Sequence, residues 1–218
     1  MIFIQETLLK TVANRLTQLK EVKGLNCEQV KEFVEKGFRN ELEVKLNESE
    51  LNEITKHVFW VTNGTPQKLQ EYCKLLGFEI QDNGWEYTND MLNIVDKKWV
   101  LDSLHKNYTV ISGMMNSIET DIGRRNQVLY CLGKLDKTCF RAQEVEKILQ
   151  EEFKMSTKGR RLNISLILND LSEWVNSFIK KNKNEYIITD KEYILCIRLM
   201  LYKTKEEKVE KLDLENIN

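Results

Sequence analysis

Few residues in this chain have the types and spacing that enzymes use, and the nearest phosphate-binding pattern is incomplete. A phosphate-cradling loop needs two glycines five residues apart, followed by a lysine and a hydroxyl, so that backbone N–H groups surround the phosphates. Gly133-Lys134 comes nearest, but Leu135 follows the lysine and Val128 stands where the first glycine belongs. The sequence therefore predicts no such loop and no autonomous hydrolysis of nucleoside triphosphates.

The histidines and cysteines also lack a catalytic or metal-binding spacing. His57 and His105 lie far apart, without an HExxH or Cys-His pattern. No GxSxG elbow or Cys/His nucleophile pattern is present. We therefore expect no catalytic residue, no metal and no cofactor, and we expect that the chain is not an enzyme. The five cysteines, none of which forms a CxxC pair, are Cys27, Cys73, Cys131, Cys139 and Cys196.

Composition predicts a helical protein of the cytoplasm. The 218 residues include 33 basic and 34 acidic side chains, for a formal charge of −1, which excludes a protein that coats nucleic acid through overall positive charge. Charged residues make up 31% of the chain and no long apolar run occurs, so we expect no membrane span. One proline and nine glycines leave few helix breakers. Glu6 interrupts the apolar start, so no signal peptide is expected and the thiols are expected to be reduced.

Residues 1–112 are predicted to form a helical domain. Five stretches place apolar residues at helical spacing, at 6–16, 30–38, 51–59, 69–76 and 91–104. Asn26 is expected to cap the second of these helices, and either Asn47 or Ser49 the third. Thr65-Pro66 is typical of a helix start, and Gly77 is expected to end that helix. The segment 82–84 is either a loop or the tip of a small hairpin. We place a domain boundary near Gly113.

Residues 113–202 have the element order of a winged helix-turn-helix. Three helical patterns at 125–135, 142–153 and 165–175 precede two β-prone runs, at 178–180 and 186–188. Apolar positions of the third helix include Trp174 and Val175, which we expect to be buried. Asp190 is expected to cap a last helix, and the sparse apolar content of 203–218 predicts a frayed tail.

Two stretches resemble the lid and winged-helix regions of AAA+ ATPases of the STAND and archaeal origin-recognition kinds. The first stretch is Gln18-Leu19-Lys20-Glu21-Val22-Lys23-Gly24-Leu25, followed by 51–60 and the turn Thr62-Asn63-Gly64-Thr65-Pro66. The second is 128–200, including Glu185-Tyr186-Ile187-Ile188-Thr189-Asp190. The resemblance implies a mainly α protein, in which a helical lid-like domain precedes a winged helix with a small β-hairpin and the P-loop half is lacking.

The resemblance also bears on nucleotide sensing and on partners. In the family, the helix after the turn often offers an arginine to the nucleotide's γ-phosphate, and the matching position here is Gln67, with Lys68 beside it. A glutamine cannot neutralise a phosphate, which argues against this role. The chain is similar to a truncated or split part of such an ATPase, and a P-loop ATPase is therefore one expected partner.

Local charge predicts where nucleic acid would bind. A winged helix lays its third helix in the major groove and its wing along the backbone. Residues 154–183 carry seven basic and two acidic side chains, a local charge of +5 in a chain of −1. We expect the cations to pair with phosphates, and Ser165 and Asn169 to reach base edges, while Asp170 and Glu173 oppose binding. The candidate DNA-binding residues are Lys158, Arg160, Arg161, Ser165, Asn169, Lys180, Lys181 and Lys183.

The sequence leaves two functions open, besides a purely structural role for the second half. The first is a non-catalytic winged-helix protein that binds double-stranded DNA. The second is an adaptor or regulatory subunit that docks onto a partner ATPase, because winged helices also bind proteins and a basic loop is often only a solvated surface.

Overall fold

The structure is a computed structural model that describes residues 24–116 and 123–214. It is mainly helical, with two small antiparallel sheets. Among the described residues, no helix combines the length and the apolar character that crossing a bilayer requires. The helix predicted at 6–16 and most of the stretch at 18–25 lie outside the described residues.

The first half of the described chain contains five α-helices. A π-helical segment, Glu35–Glu41, continues the first of them, and its geometry is visible in the hydrogen bond from the Leu42 amide to the Gly37 carbonyl at 3.1 Å. The helices are α1 (Cys27–Val34), α2 (Glu48–Thr62), α3 (Pro66–Asp82), α4 (Asp90–Ser103) and α5 (His105–Met114).

The second half combines five α-helices with five short strands. The helices are α6 (Arg124–Leu132), α7 (Ala142–Glu152), α8 (Lys154–Thr157), α9 (Ile164–Glu173) and α10 (Glu192–Met200). The strands are β1 (Cys139–Phe140), β2 (Ile179–Asn182), β3 (Glu185–Ile188), β4 (Leu201–Lys203) and β5 (Val209–Lys211). Strands β1, β3 and β2 form one antiparallel sheet in that order, and β4 pairs with β5 in another.

Asparagine caps start two helices where the sequence predicts them. The Asn26 side chain accepts from the Gln29 amide at 2.9 Å, and the Gln29 side chain accepts from the Asn26 amide at 3.0 Å. Asn47 and Glu50 repeat this capping box at the start of α2, with distances of 3.0 and 2.8 Å. Each box satisfies two of the amides that the first helical turn leaves without partners.

Helix α3 continues through Gly77 to Asp82, so the prediction that this glycine ends the helix is wrong. Ile80 lies one turn after Leu76, and both side chains are fully buried. A glycine inside a helix costs only about 1 kcal/mol relative to alanine, and burial of one more isoleucine exceeds that cost. Asp82 is the last residue of the helix, and Asn83 and Gly84 lie in the turn that follows it, so the segment 82–84 is not a hairpin tip.

Helix α10 packs against both halves of the described chain. It contacts α2, α4 and α5 from the first half and α6 from the second, and Cys196, Ile197 and Met200 are buried there. A Cβ atom on Gly133 would lie 2.7 Å from Ile197 Cγ2, so the end of α6 approaches α10 as closely as a glycine permits. One hydrophobic core therefore runs through both halves, and Gly113, the predicted boundary, lies inside α5.

Residues 203–214, predicted as part of a frayed tail, are paired and packed. β4 and β5 join 201–203 to 209–211, with Val209 buried. The Leu212 amide donates to the Met200 carbonyl at 2.6 Å, and the Tyr108 hydroxyl donates to the Leu212 carbonyl at 2.9 Å. The few apolar residues of this segment suffice because they close onto a core that α5 and α10 have already formed.

Candidate nucleic-acid interface

The two halves of the described chain carry opposite charge. Residues 24–116 contain fifteen acidic and ten basic side chains, for a formal charge of −5. Residues 123–214 contain nineteen basic and fourteen acidic side chains, for +5. A polyanion would therefore be attracted to the second half and repelled by the first, at distances up to the Debye length of about 8 Å in physiological salt.

The six predicted phosphate-pairing cations are exposed and have no acidic partner among the described residues. Eleven ion pairs within 4.0 Å occur among the described residues, and none includes any of these six. Their charge is therefore not used to hold the fold together. The six are Lys158, Arg160, Arg161, Lys180, Lys181 and Lys183.

The six cations form two clusters. We name Lys180, Lys181 and Lys183 the wing cluster, because they lie on β2 and on its two-residue turn into β3. Lys158, Arg160 and Arg161 form the loop cluster, between α8 and α9. Arg160 lies near Arg124: burial, and next the charge of Arg160, lower the pKa of Arg124. The loop cluster thus occupies the side on which Arg124 donates to the Ser156 carbonyl at 2.7 Å.

An open groove of about 430 Å³ lies where the first turns of α7 and α9 meet the turn of the wing. Arg141, Ala142 and Gln143 line it from the start of α7, Ser165 from the start of α9, and Asn184 from the β2–β3 turn. The N-terminus of a helix carries partial positive charge. Arg141 adds a full charge, offset in part by Glu185 at 3.1 Å. The groove therefore offers an anion one guanidinium and two helix starts, although Glu144 already accepts from the Arg141 amide at 2.8 Å.

The structure places the two predicted base-reading residues differently. Ser165 is exposed at the rim of the groove. Asn169 is partly buried, and its Oδ1 accepts from the Tyr186 hydroxyl at 2.8 Å. Burial raises the pKa of Tyr186, so this hydroxyl keeps its proton. Tyr186 also stacks on Phe140, with ring centroids 5.8 Å apart, which fixes its position on β3.

The outward face of α9 is apolar and acidic. Ile164, Leu168 and Leu171 are buried beneath it. Leu166 is 61% exposed, and Asp170 and Glu173 are also exposed. The carboxylates would repel a phosphate, as the sequence predicts.

Trp174 and Val175 are exposed, by 42% and 80%, so the prediction that they are buried is wrong. Helix α9 ends at Glu173, and Trp174 adopts an extended backbone conformation. Both residues therefore leave the helical face that would have turned them inward.

The cations beside the Thr62–Pro66 turn already have partners. Lys68 pairs with Glu192 at 2.9 Å and with Glu71 at 3.6 Å, and the Gln67 amide donates to Glu71 at 3.0 Å. Arg198 donates to the carbonyl groups of Gly133, Trp60 and Leu135 at 2.7, 2.8 and 3.1 Å. Burial lowers the pKa of Arg198 to about 10, which leaves the guanidinium charged at neutral pH.

His57 belongs to a buried polar cluster far from the groove in sequence. Its Nε2 lies 2.9 Å from Asp96 Oδ1, which also accepts from the Tyr72 hydroxyl at 2.6 Å. The described residues include no group of His, Cys, Asp and Glu side chains that fits a metal ion.

Sequence reasoning missed Arg141 and Asn184 as groove residues. The available signal was Arg141 itself, a cation directly before the second predicted helix of this half.

No family model, curated protein or solved structure matches this chain.

Proposed function

We propose that this chain is a non-catalytic winged-helix protein that binds double-stranded DNA through its second half. The order α6, β1, α7, α9, β2, β3 supports the winged-helix interpretation, as does the antiparallel sheet order β1-β3-β2. The observation that carries the function is the groove between two helix starts and the wing turn, in the half of the chain whose six exposed cations form no ion pair with a described residue.

Phosphates are the main ligands in this proposal. The wing cluster pairs with the backbone of one strand, and a phosphate enters the groove beside Arg141 and Ser165. The loop cluster, which directly precedes the start of α9, adds further phosphate contacts. Because the acidic face of α9 repels phosphate, the duplex must present base edges to that face and its backbone to the two cationic clusters.

The affinity is expected to depend steeply on salt. Each phosphate that a lysine or arginine neutralises releases bound counterions, and the slope of log K against log salt concentration falls by about 0.9 per contact. Six cations predict a slope of roughly −5 if all of them engage phosphates. Non-specific dissociation constants of proteins of this kind are about 10⁻⁴ to 10⁻⁶ M at physiological salt.

A titration of random duplex DNA at several salt concentrations tests the proposal. The triple variant Lys180→Glu, Lys181→Glu, Lys183→Glu should weaken binding at least tenfold for all sequences and make the salt slope shallower by roughly 3. The matched control is the triple variant Lys36→Glu, Lys45→Glu, Lys56→Glu, at three exposed lysines of the acidic half. Equal losses in the two variants, or a salt slope near zero for the unmodified chain, would contradict DNA binding.

A docking function is the second candidate, favoured by the exposed pair Trp174 and Val175. Arg125 lies over the Trp174 ring at 5.2 Å from its centroid, and Trp174 and Val175 remain 42% and 80% exposed. In this alternative the chain is an adaptor or regulatory subunit of a P-loop ATPase, the partner that the AAA+ resemblance implies. Purification with the partner after nuclease treatment, lost in Trp174→Ser with Val175→Ser, would favour docking over DNA binding.

A further inference from the structure

We propose that α9 reads a G·C base pair through Asn169 and Asp170, and that Leu166 contacts a thymine methyl group about two base pairs away. The inference rests on the proposed DNA binding and adds the bases that the protein prefers.

Tyr186 determines which hydrogen bonds Asn169 offers. The Tyr186 hydroxyl donates to Asn169 Oδ1 at 2.8 Å and lies 3.4 Å from the Ser165 carbonyl. With its oxygen engaged, the amide offers mainly the N–H donors of its Nδ2. Two-point recognition of adenine needs the amide oxygen as well as the nitrogen, whereas guanine presents only acceptors, N7 and O6, in the major groove. Asn169 is therefore matched to guanine.

Asp170 supplies the opposite polarity at the neighbouring position. Its carboxylate is exposed, has no ion pair within the described residues, and only accepts hydrogen bonds. Cytosine presents a donor, its N4 amino group, in the major groove. A donor on Asn169 beside an acceptor on Asp170 is thus complementary to the guanine and the cytosine of one base pair.

Leu166 is the exposed apolar residue on the same face of α9. It lies four residues before Asp170, or about 6 Å along the helix axis, which corresponds to roughly two base pairs at 3.4 Å each. The thymine methyl is the apolar group that the major groove offers to such a side chain. An isolated leucine with 61% of its surface exposed gains from this contact.

The negative charge of Asp170 makes the reading selective. Against the phosphate backbone this charge is unfavourable, and only a base-pair donor compensates for it. The wing and loop clusters hold the duplex in place, so the net attraction persists. A wrong base pair leaves the carboxylate of Asp170 without a partner.

Selection of binding sites from a randomised duplex library tests the inference. The unmodified chain should enrich sequences that contain a G·C pair with a T about two positions away, by about tenfold over their A·T counterparts. Asp170→Asn should abolish the preference for the G·C pair while raising affinity for random duplex, because a repulsive charge is removed. The matched control Glu151→Gln removes an exposed carboxylate of α7 and should leave the preference unchanged.

Modified bases test each contact separately. Replacing the guanine by 7-deazaguanine should weaken binding of the unmodified chain severalfold but leave Asn169→Ala unaffected. Replacing the thymine by uracil removes the methyl group. This change should weaken binding of the unmodified chain severalfold and leave binding of Leu166→Ala unaffected. Circular dichroism and thermal melting verify that each variant is folded.

The failure of this inference is distinguishable from that of DNA binding. Steep salt dependence with an identical base preference in the unmodified chain and Asp170→Asn would overturn base reading and leave DNA binding intact. Absence of duplex binding at low salt would overturn both.

Discussion

The guanidinium of Arg198 lies 4.1 Å from the centroid of the Trp60 ring. It also donates to the Trp60 carbonyl at the end of α2 and to the Gly133 and Leu135 carbonyls at the end of α6. No carboxylate of the described residues forms an ion pair with it. One arginine of α10 thus binds the two halves together through neutral acceptors and a ring face.

Arg198→Met should lower the free energy of unfolding by about 2–4 kcal/mol, because it leaves three carbonyl groups without their donors and removes the stacking on Trp60. Arg198→Lys should recover less than half of that loss, since an ammonium does not have the planar set of donors. Urea denaturation measures both. Lys205→Met, an exposed position without an ion pair, is the control. A loss below about 0.5 kcal/mol in Arg198→Met would show that the contacts contribute little.

Gly64→Ala should destabilise the protein by about 2–5 kcal/mol. Gly64 has a φ of +65°, and a Cβ atom there would collide with the Leu25 carbonyl oxygen, while the Leu25 amide donates to the Gly64 carbonyl at 2.7 Å. Gly84→Ala is the matched control, because Gly84 has a φ of +70° and open space around it. That variant should cost only about 1–2 kcal/mol. Thermal melting of the two alanine variants separates the effect of the steric collision from that of backbone strain. Equal losses of stability in both variants would exclude a contribution from the collision.

Glu207→Gln should lower the free energy of unfolding at neutral pH. It should also make the free energy of unfolding depend less on pH in the acidic range. Burial alone would raise the pKa of Glu207, but amide hydrogen bonds from Met155 and Ser156, at 3.1 and 2.8 Å, lower it below its ordinary value of 4.5. The folded state therefore binds fewer protons than the unfolded state near that pH. The stabilisation is complete above pH 4.5 and disappears as the pH falls through the lower, folded-state pKa.

Urea midpoints between about pH 3 and pH 7 measure this effect. The glutamine variant should be less stable by about 1 kcal/mol at pH 7, and its difference from the unmodified chain should shrink toward pH 3. Glu206→Gln, the exposed neighbour, should change neither quantity. A difference that stays constant with pH would mean that the charge of Glu207 is not what the two amides stabilise.

Tyr72→Phe and Asp96→Asn should show an interaction energy of about 1–3 kcal/mol in a double-mutant cycle. The buried Tyr72 hydroxyl donates to Asp96 at 2.6 Å, and burial together with this carboxylate raises the pKa of Tyr72 well above its ordinary value. Tyr72→Phe removes the donor and leaves Asp96 with His57, whereas Asp96→Asn replaces the charged acceptor of the Tyr72 hydroxyl by a neutral one. Chemical denaturation of the four proteins gives the cycle, and strictly additive losses would contradict the coupling.

The sequence predicts the local elements well where a side chain acts on its own backbone. Asn26 and Asn47 start their helices as expected, and Thr65-Pro66 starts α3. The β-prone runs after the third helix of the second half form the hairpin of β2 and β3. These signals depend on neighbours within a few residues, so no tertiary information is needed to interpret them.

The elements that the sequence misses depend on distant partners. Strand β1 is two residues long and exists because Cys139 and Phe140 pair with β3. The hairpin of β4 and β5 forms against α5 and α10, which local composition does not reveal. Of the interface, the exposed cations were predictable from charge alone, whereas the engagement of Asn169 by Tyr186 and the place of Arg141 in the groove require the packing of α7 and α9.

The position of α10 along the chain governs the order in which this protein can acquire its structure during synthesis. Its contacts with α2, α4 and α5 join segments separated by roughly a hundred residues, so they form only after the ribosome has produced the chain as far as Met200. Until then the apolar surfaces of the earlier helices stay uncovered. A nascent chain stalled before α10 would expose these apolar surfaces to chaperones. The exposure ends when the nine residues Glu192–Met200 have been synthesised and have packed against the earlier helices.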